Sequence, residues 1–220
     1  MSRLSLWPPN FEAAIFDFDG TLAETGHLWQ QVDIAFFSAR GIPYTEEVHE
    51  TLATLGFVGG AEWVREHYGL DDSTREIVDE WNRMGSELYA TEVSLRAGAE
   101  SYLKRLRTQG VRLALATTND PKVLASMRPA VNVDKLFDAV VCGCQVSRGK
   151  DHPDIYVEAA RRLRANPQAC VVFEDILPGI RSARRAGMAT VAVSCEGPQQ
   201  DRELLEAEAD LFIGGWEQLG

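Results

Sequence analysis

Ala13-Ala14-Ile15-Phe16-Asp17-Phe18-Asp19-Gly20-Thr21-Leu22 is the stretch from which the fold is read. Four apolar residues run straight into two carboxylates spaced one residue apart, and a glycine follows at once. A continuous apolar run of this length suits a strand buried on both faces, the condition of a parallel sheet covered by helices. Carboxylates at the end of such a strand are costly to bury unless they are paired or hold a metal ion. Asp-Gly is also ordinary turn punctuation, so this pair alone leaves a turn and a metal-ligand set both open.

Outward from this stretch the pattern recurs. Short apolar runs at residues 112–116, 139–142, 170–173, 190–193 and 211–213 join 13–16 as expected strands. Helical patterns at 98–108, 121–128, 152–164, 179–186 and 199–208 fall between them, and Gly110 and Gly187 stand where helix-ending glycines belong. Strand and helix in alternation mean an α/β fold, a parallel sheet with right-handed crossovers and helices on both faces. Residues 24–95 break the alternation. They carry only helical spacing, at 29–39, 46–54, 61–68 and 73–89. Such a segment reads as a helical insert, which divides the chain into a core of residues 1–23 and 96–220 and a cap of residues 24–95.

Ligands of an open parallel sheet bind beyond the carboxyl ends of its strands. Three further strand ends or loops carry chemistry. Val171-Val172-Phe173 runs into Glu174-Asp175, and two acidic strand ends in one sheet repel unless a cation lies between them. Leu115-Ala116 ends in Thr117-Thr118-Asn119 ahead of Pro121. Hydroxyls and free backbone N–H groups at a helix start suit a phosphate oxygen, although an ordinary N-cap has the same look. Lys150, ahead of another helix, offers the cation that a dianionic substrate among carboxylates requires.

The chain has 220 residues and a formal net charge of -11, which argues against nucleic acid or an anionic membrane as partner. An anionic small molecule is still compatible, because a metal ion and one placed cation hold phosphate inside an acidic protein. No apolar run reaches the roughly 20 residues that span a bilayer. Residues 1–11 lack the basic and apolar regions of a secretory signal, so a cytoplasmic location is expected. Cys142, Cys144, Cys170 and Cys195 are expected to be reduced thiols. The lone Cys142-x-Cys144 has no second pair or nearby histidine to make a zinc site.

Asp17-x-Asp19-Gly20-Thr21, then Thr117, then Lys150, then Glu174-Asp175 resembles the four-motif signature of the haloacid dehalogenase superfamily. Lys150-Asp151-His152-Pro153-Asp154-Ile155-Tyr156 and Phe173-Glu174-Asp175-Ile176-Leu177-Pro178-Gly179-Ile180 are similar to the lysine and final motifs of its β-phosphoglucomutase-like branch. The resemblance implies a Rossmann-like core, with the 24–95 insert as its helical cap. It further implies an Mg2+-dependent phosphatase acting on a small phosphorylated metabolite, a sugar phosphate or nucleotide. Asp17 is then the nucleophile that forms an aspartyl-phosphate, and Asp19 the general acid and base. Thr117, Thr118 and Lys150 hold phosphate oxygens. Asp17, Glu174, Asp175 and the main-chain carbonyl of Asp19 surround Mg2+.

Within that resemblance Asp19 argues against dehalogenation, since the dehalogenases lack this second aspartate. A β-phosphoglucomutase-like phosphomutase is the alternative. Mutases carry an Arg-x-Lys-Gly segment in the cap where this chain has Gly56-Phe57-Val58-Gly59, and a cap histidine where it has Trp29. His27 does not align with that histidine and is expected at the surface. These departures favour hydrolysis. A protein that binds without turnover is a third reading. Gly59, Gly60, Glu62, Trp63 and Arg65 are candidates for the substrate side of the cap, and Trp29, Trp63, Trp81 and Tyr89 for its packed interior. Oligomeric state, monomer or dimer, is open.

Overall fold

A computed structural model describes residues 4–195 and 201–219. Six strands form one parallel sheet: β1 (Ala13–Phe16), β2 (Arg112–Thr117), β3 (Ala139–Cys142), β4 (Cys170–Glu174), β5 (Ala189–Val193) and β6 (Leu211–Ile213). Their spatial order is β3-β2-β1-β4-β5-β6. The chain thus builds outward from β1 through β2 and β3, crosses back to β4 on the other side of β1, and builds outward again. The crevice at the carboxyl ends of β1 and β4 is the topological switch point where such sheets place ligands. Phe16 is in register with Leu115 on one side and Phe173 on the other.

Alternation along each strand sorts the residues onto two faces. Ala14, Phe16, Leu113, Leu115, Val171 and Phe173 pack on one face with Tyr102, Leu103 and Leu106 of α4 (Ala99–Thr108). Ala13, Ile15, Ala114, Ala116 and Val172 pack on the other with Ile155, Tyr156, Ala159 and Leu163 of α7 (Asp154–Leu163). Phe16 and Phe173 stack with centroids 4.6 Å apart, and Trp216 closes over both. The remaining core helices are α5 (Pro121–Ser126), α6 (Val133–Leu136), α8 (Leu177–Arg185) and α9 (Arg202–Glu208). The short α6 had no periodic signal in the sequence. The start of the helix expected at 199–208 lies outside the described residues.

Between β1 and α4 come α1 (Gly26–Ala39), α2 (Glu46–Tyr68) and α3 (Thr74–Glu92). Val32, Phe36, Phe37, Val48, Ala61, Val64, Ile77 and Trp81 give them a hydrophobic cluster of their own. The two helices expected at 46–54 and 61–68 are one helix. Gly60 lies in its interior for a packing reason: a Cβ there would stand 3.2 Å from Leu52 and 3.7 Å from Trp81. Tertiary contact overrides the helix-weakening effect of glycine. Gly60 packs toward the inside of the helical layer, and the partly buried Trp63 lies against the same cluster, stacked on His67 at 4.6 Å. Glu62 is exposed, and Arg65 is half-buried with its Nε unpaired. None of the four cysteines forms a disulfide, and burial pushes the thiols of Cys142 and Cys170 up to about 11. Among the described residues no helix is long and apolar enough to cross a membrane.

Candidate active site

The first carboxylate follows β1 directly. The Asp17 N–H donates to the Phe173 carbonyl at 3.0 Å, which continues the β1–β4 ladder one residue past the strand and fixes Asp17 over the switch point. Glu174 ends β4 and Asp175 follows it. Carboxylate oxygens of Asp17, Glu174 and Asp175 lie within 4.8 Å of one another, and all three side chains are buried. Lys150 is buried beside them, donating to Asp17 Oδ1 and, at 2.5 Å, to Glu174 Oε1.

Glu174 is the most fully engaged of the three. Its Oε1 also accepts from the Tyr156 hydroxyl at 2.8 Å, and its Oε2 from the N–H groups of Asp175 and Ile176 at 3.0 and 3.2 Å. The first turn of α8 permits this because residue 179 is glycine. A Cβ there would lie 2.5 Å from Glu174 Cδ and 2.7 Å from the Tyr156 hydroxyl. Asp175 Oδ1 accepts from Thr21 at 3.0 Å.

One lysine against three carboxylates leaves the cluster short of positive charge. Burial pushes the Asp17 carboxyl well above its ordinary value, with Lys150 opposing and Glu174 and Asp175 adding to the rise. Burial, then repulsion from Glu174, pushes Asp175 up to about 7. For Lys150, burial alone would lower the pKa, but the Asp17 and Glu174 carboxylates lift it above its usual range. The ammonium ion is therefore permanent at neutral pH. Clustered hard oxygen donors that resist ionising together are what a small divalent cation relieves, so the donor set fits a metal ion of the magnesium type.

Asp19 stands apart from that trio and is bound by a different set. Its Oδ2 accepts from Asn119 Nδ2 at 2.7 Å, and its Oδ1 from the hydroxyls of Thr25, at 2.6 Å, and Tyr89. Burial raises its pKa, while the bonds from Thr25, Tyr89 and Asn119 hold it down. Thr25 is the N-cap residue of α1 yet makes no capping bond with its side chain, because its hydroxyl is turned to Asp19. Arg96 holds the turn after Asp19 from outside, donating to the Gly20 carbonyl at 2.7 Å and pairing with Glu24 at 3.1 Å.

Thr117 is fully buried at the end of β2, beside β1, and its Oγ1 accepts from the Asn119 N–H at 3.1 Å. Thr118 is exposed on the loop that follows. Asp17, Lys150, Glu174 and Asp175 are thus joined in one cluster, and Asp19, two residues after Asp17, is held beside it by Asn119, Thr25 and Tyr89. His27 is exposed in the first turn of α1, as expected.

Tyr89 and Trp29 are packed aromatics, as the sequence predicts, but they also carry polar contacts that it does not show: Tyr89 reaches Asp19, and Trp29 Nε1 donates to the Tyr89 hydroxyl at 2.9 Å. Periodicity places an aromatic on an apolar helix face and does not reveal that its hydroxyl extends past that face. Arg96 and Thr25 carried no signal at all, whereas Tyr156 and Asn119 sat inside the quoted motifs.

An acidic, cation-ready cluster at the switch point of a doubly wound sheet, under a helical layer inserted after the first strand, places the protein among the α/β enzymes that act at strand ends. The chain belongs to the haloacid dehalogenase-like hydrolase family, whose model matches residues 11–187. It is 30% identical to a phosphorylated carbohydrates phosphatase of Thermotoga maritima over 206 residues, which cover 92% of this chain and 94% of the relative. Crystal structures of CbbY from Rhodobacter sphaeroides, one with phosphate and one of an Asp-to-Asn mutant with xylulose-(1,5)bisphosphate, superpose with TM-scores of 0.84. Each is 30% identical, covering 96% of both chains.

Proposed function

We propose that this protein is a phosphatase that hydrolyses a small phosphorylated carbohydrate through an aspartyl-phosphate on Asp17. The observation that carries the reading is the buried cluster of Asp17, Lys150, Glu174 and Asp175 at the switch point. The names of the relatives, which include a phosphorylated carbohydrates phosphatase, support the substrate class.

In the first half-reaction a carboxylate oxygen of Asp17 attacks phosphorus as the bond to the substrate oxygen breaks. Asp19 gives its proton to that leaving oxygen. In the second, Asp19 takes a proton from water as the water oxygen attacks phosphorus, which frees phosphate and restores Asp17. Lys150 screens the approach of a dianion to Asp17, and with Thr117 and Thr118 it holds the phosphoryl oxygens. Asp17, Asp175, Glu174 and the main-chain carbonyl of Asp19 are the residues that would hold Mg2+. When bound, the ion neutralises charge on the transferring phosphoryl group. Residues 24–95 serve as the cap over a core of 1–23 and 96–220.

The phosphomutase alternative is the weaker reading. The 56–59 stretch lies inside α2 and supplies no cation, and the Phe57 ring packs edge-on against Trp29 at 4.9 Å. Trp29 itself stands where mutases carry their cap histidine. The test is phosphate release with Mg2+ across a panel of phosphorylated sugars, sugar acids and nucleotides, with Asp17→Asn as control. Release that survives Asp17→Asn, or isomerisation without free phosphate, would sink the proposal.

A further inference from the structure

The contacts around Asp19 are unusual in their origin. Asn119 comes from the end of β2, but Thr25, Tyr89 and, behind Tyr89, Trp29 come from the inserted helices. Tyr89 is fully buried and lies near the end of α3. Its hydroxyl has one proton to give. The indole N–H of Trp29 donates to the hydroxyl oxygen at 2.9 Å, which leaves that proton directed at Asp19 Oδ1. The indole is itself seated by an absence. One turn before Tyr89, residue 85 is glycine, and a Cβ there would stand 2.6 Å from Trp29 Cη2 and 2.9 Å from its Cζ3. Trp29 also contacts the Tyr89 ring at 5.7 Å between centroids and Phe57 edge-on. A glycine in the middle of a 19-residue helix weakens it, and here the space it leaves is filled by a single indole.

We infer that Tyr89 is a positioning residue for Asp19, aimed through the Trp29 indole seated over Gly85. The orientation of the acid/base carboxyl is then set by the helical insert as well as by the sheet. The inference rests on the proposed role of Asp19. Its consequence is specific. When α3 sits against the core, one carboxylate oxygen of Asp19 is held from above and the other by Asn119, so the group has one orientation toward the leaving oxygen. Movement of α3 away from the sheet releases it.

The test uses the dependence of kcat/KM on the leaving group. Protonation by Asp19 matters for an unactivated alkyl phosphate and little for para-nitrophenyl phosphate, whose leaving group departs without help. Both are assayed with the wild-type protein, Asp19→Asn, Tyr89→Phe, Trp29→Phe and Gly85→Ala, using the alkyl phosphate turned over fastest in the panel. Tyr89→Phe is expected to lower kcat/KM for the alkyl substrate by about tenfold more than for the nitrophenyl substrate, a fraction of the general-acid effect. Trp29→Phe and Gly85→Ala should shift the ratio in the same direction by less. A purely structural role would lower both substrates alike. Tyr89→Phe guards against loss of folding, because it keeps the packed ring and removes only the hydroxyl, whereas the methyl of Gly85→Ala displaces the indole and is read beside its unfolding midpoint. If Asp19→Asn changes the ratio and neither Tyr89→Phe nor Gly85→Ala does, the inference is wrong and the proposed function stands. If Asp19→Asn leaves the ratio unchanged, the acid role of Asp19 is wrong and the inference goes with it.

Discussion

Lys150 Nζ lies 2.5 Å from Glu174 Oε1 with both side chains closed to solvent, and the same ammonium group donates to Asp17 on the other side of the crevice. One cation thus joins two strand ends whose carboxylates would otherwise face each other unscreened. Removing one partner of a buried ion pair leaves the other charged and uncompensated, which costs about 3–5 kcal/mol. Lys150→Met should destabilise the protein by an amount of that order and abolish phosphate release. Added Mg2+ should recover part of the stability, since it screens the same carboxylates, but not the activity. Urea denaturation with and without Mg2+ measures the first effect. An unfolding midpoint equal to that of the wild type would show that the ion pair adds nothing to the fold.

Gly20 has a φ of +78°, and a Cβ at that position would fall 2.2 Å from Asp175 Oδ2. Two effects therefore converge: left-handed backbone that disfavours a side chain, and a direct collision with a carboxylate of the cluster. Gly20→Ala should reduce activity at least about a hundredfold, because shifting a carboxylate that holds the site together by an ångström has that scale of effect. Binding of Mg2+, followed by calorimetry, should weaken in parallel. Gly41, with a φ of +67° and, among the described residues beyond its chain neighbours, no atom within 4 Å of its Cβ position, is the control. Gly41→Ala should cost only stability, about 1 kcal/mol, and leave kcat intact.

Much of this was open to reading from the sequence. Each strand end that carries Asp17, Thr117 or Glu174 is an apolar run that stops at a polar residue, and a parallel sheet brings all its carboxyl ends to one side. Parallel pairing alone therefore assembles Asp17 and Glu174 from positions 157 residues apart. The helical insert was legible as missing alternation. What stayed hidden depended on shape. The helical spacing at 46–54 and 61–68 reads as two helices because the sequence does not show that Leu52 and Trp81 fill the space above Gly60. Tyr89 looked like a core aromatic because its ring is one. Only the register of α3 against the loop after β1 turns its hydroxyl toward Asp19. Arg96 binds a backbone carbonyl, and a carbonyl leaves no mark on the sequence.

The carboxylates of the cluster differ in how much they have left to offer a cation. Glu174 accepts four hydrogen bonds, from Lys150, Tyr156 and two backbone N–H groups. Asp175 carries a pKa pushed up to about 7 by burial and by Glu174, so it must lose a proton before it can serve as a ligand near neutral pH. Magnesium should raise the melting temperature, and the increment should grow between pH 6 and pH 8 as Asp175 ionises. Asp175→Asn should remove most of the increment. Glu174→Gln should reduce it less, because that carboxylate is already committed to Lys150 and the backbone. Scanning fluorimetry at fixed Mg2+ across that pH range decides it, through the stabilisation that binding confers by mass action. An increment of equal size at both pH values would mean that Asp175 is not a ligand.

Away from the site, Asp33 on α1 accepts a hydrogen bond from Tyr44 at 3.1 Å, and Tyr44 also bonds His49 Nδ1 at 2.7 Å. Burial raises the Asp33 carboxyl from its ordinary value of 3.8 to about 6, with the Tyr44 bond opposing. The sign of the effect on stability follows from proton counting. Below about 3.8 both the folded and unfolded chains hold the proton, and the stabilisation from this group is complete. Between that value and about 6 the folded chain keeps a proton that the unfolded chain has lost, so stability falls as pH rises. Above about 6 both are ionised and the contribution is gone. The span amounts to roughly 2 kcal/mol for a half-buried group with a shift of this size. Asp33→Asn keeps the shape and cannot titrate. It should therefore flatten the fall in stability between pH 4 and pH 6 while leaving phosphate release at neutral pH unchanged. Urea midpoints of the two proteins at pH 4.5 and pH 6.5 provide the comparison, and parallel slopes for wild type and Asp33→Asn would assign the pH dependence to other carboxylates.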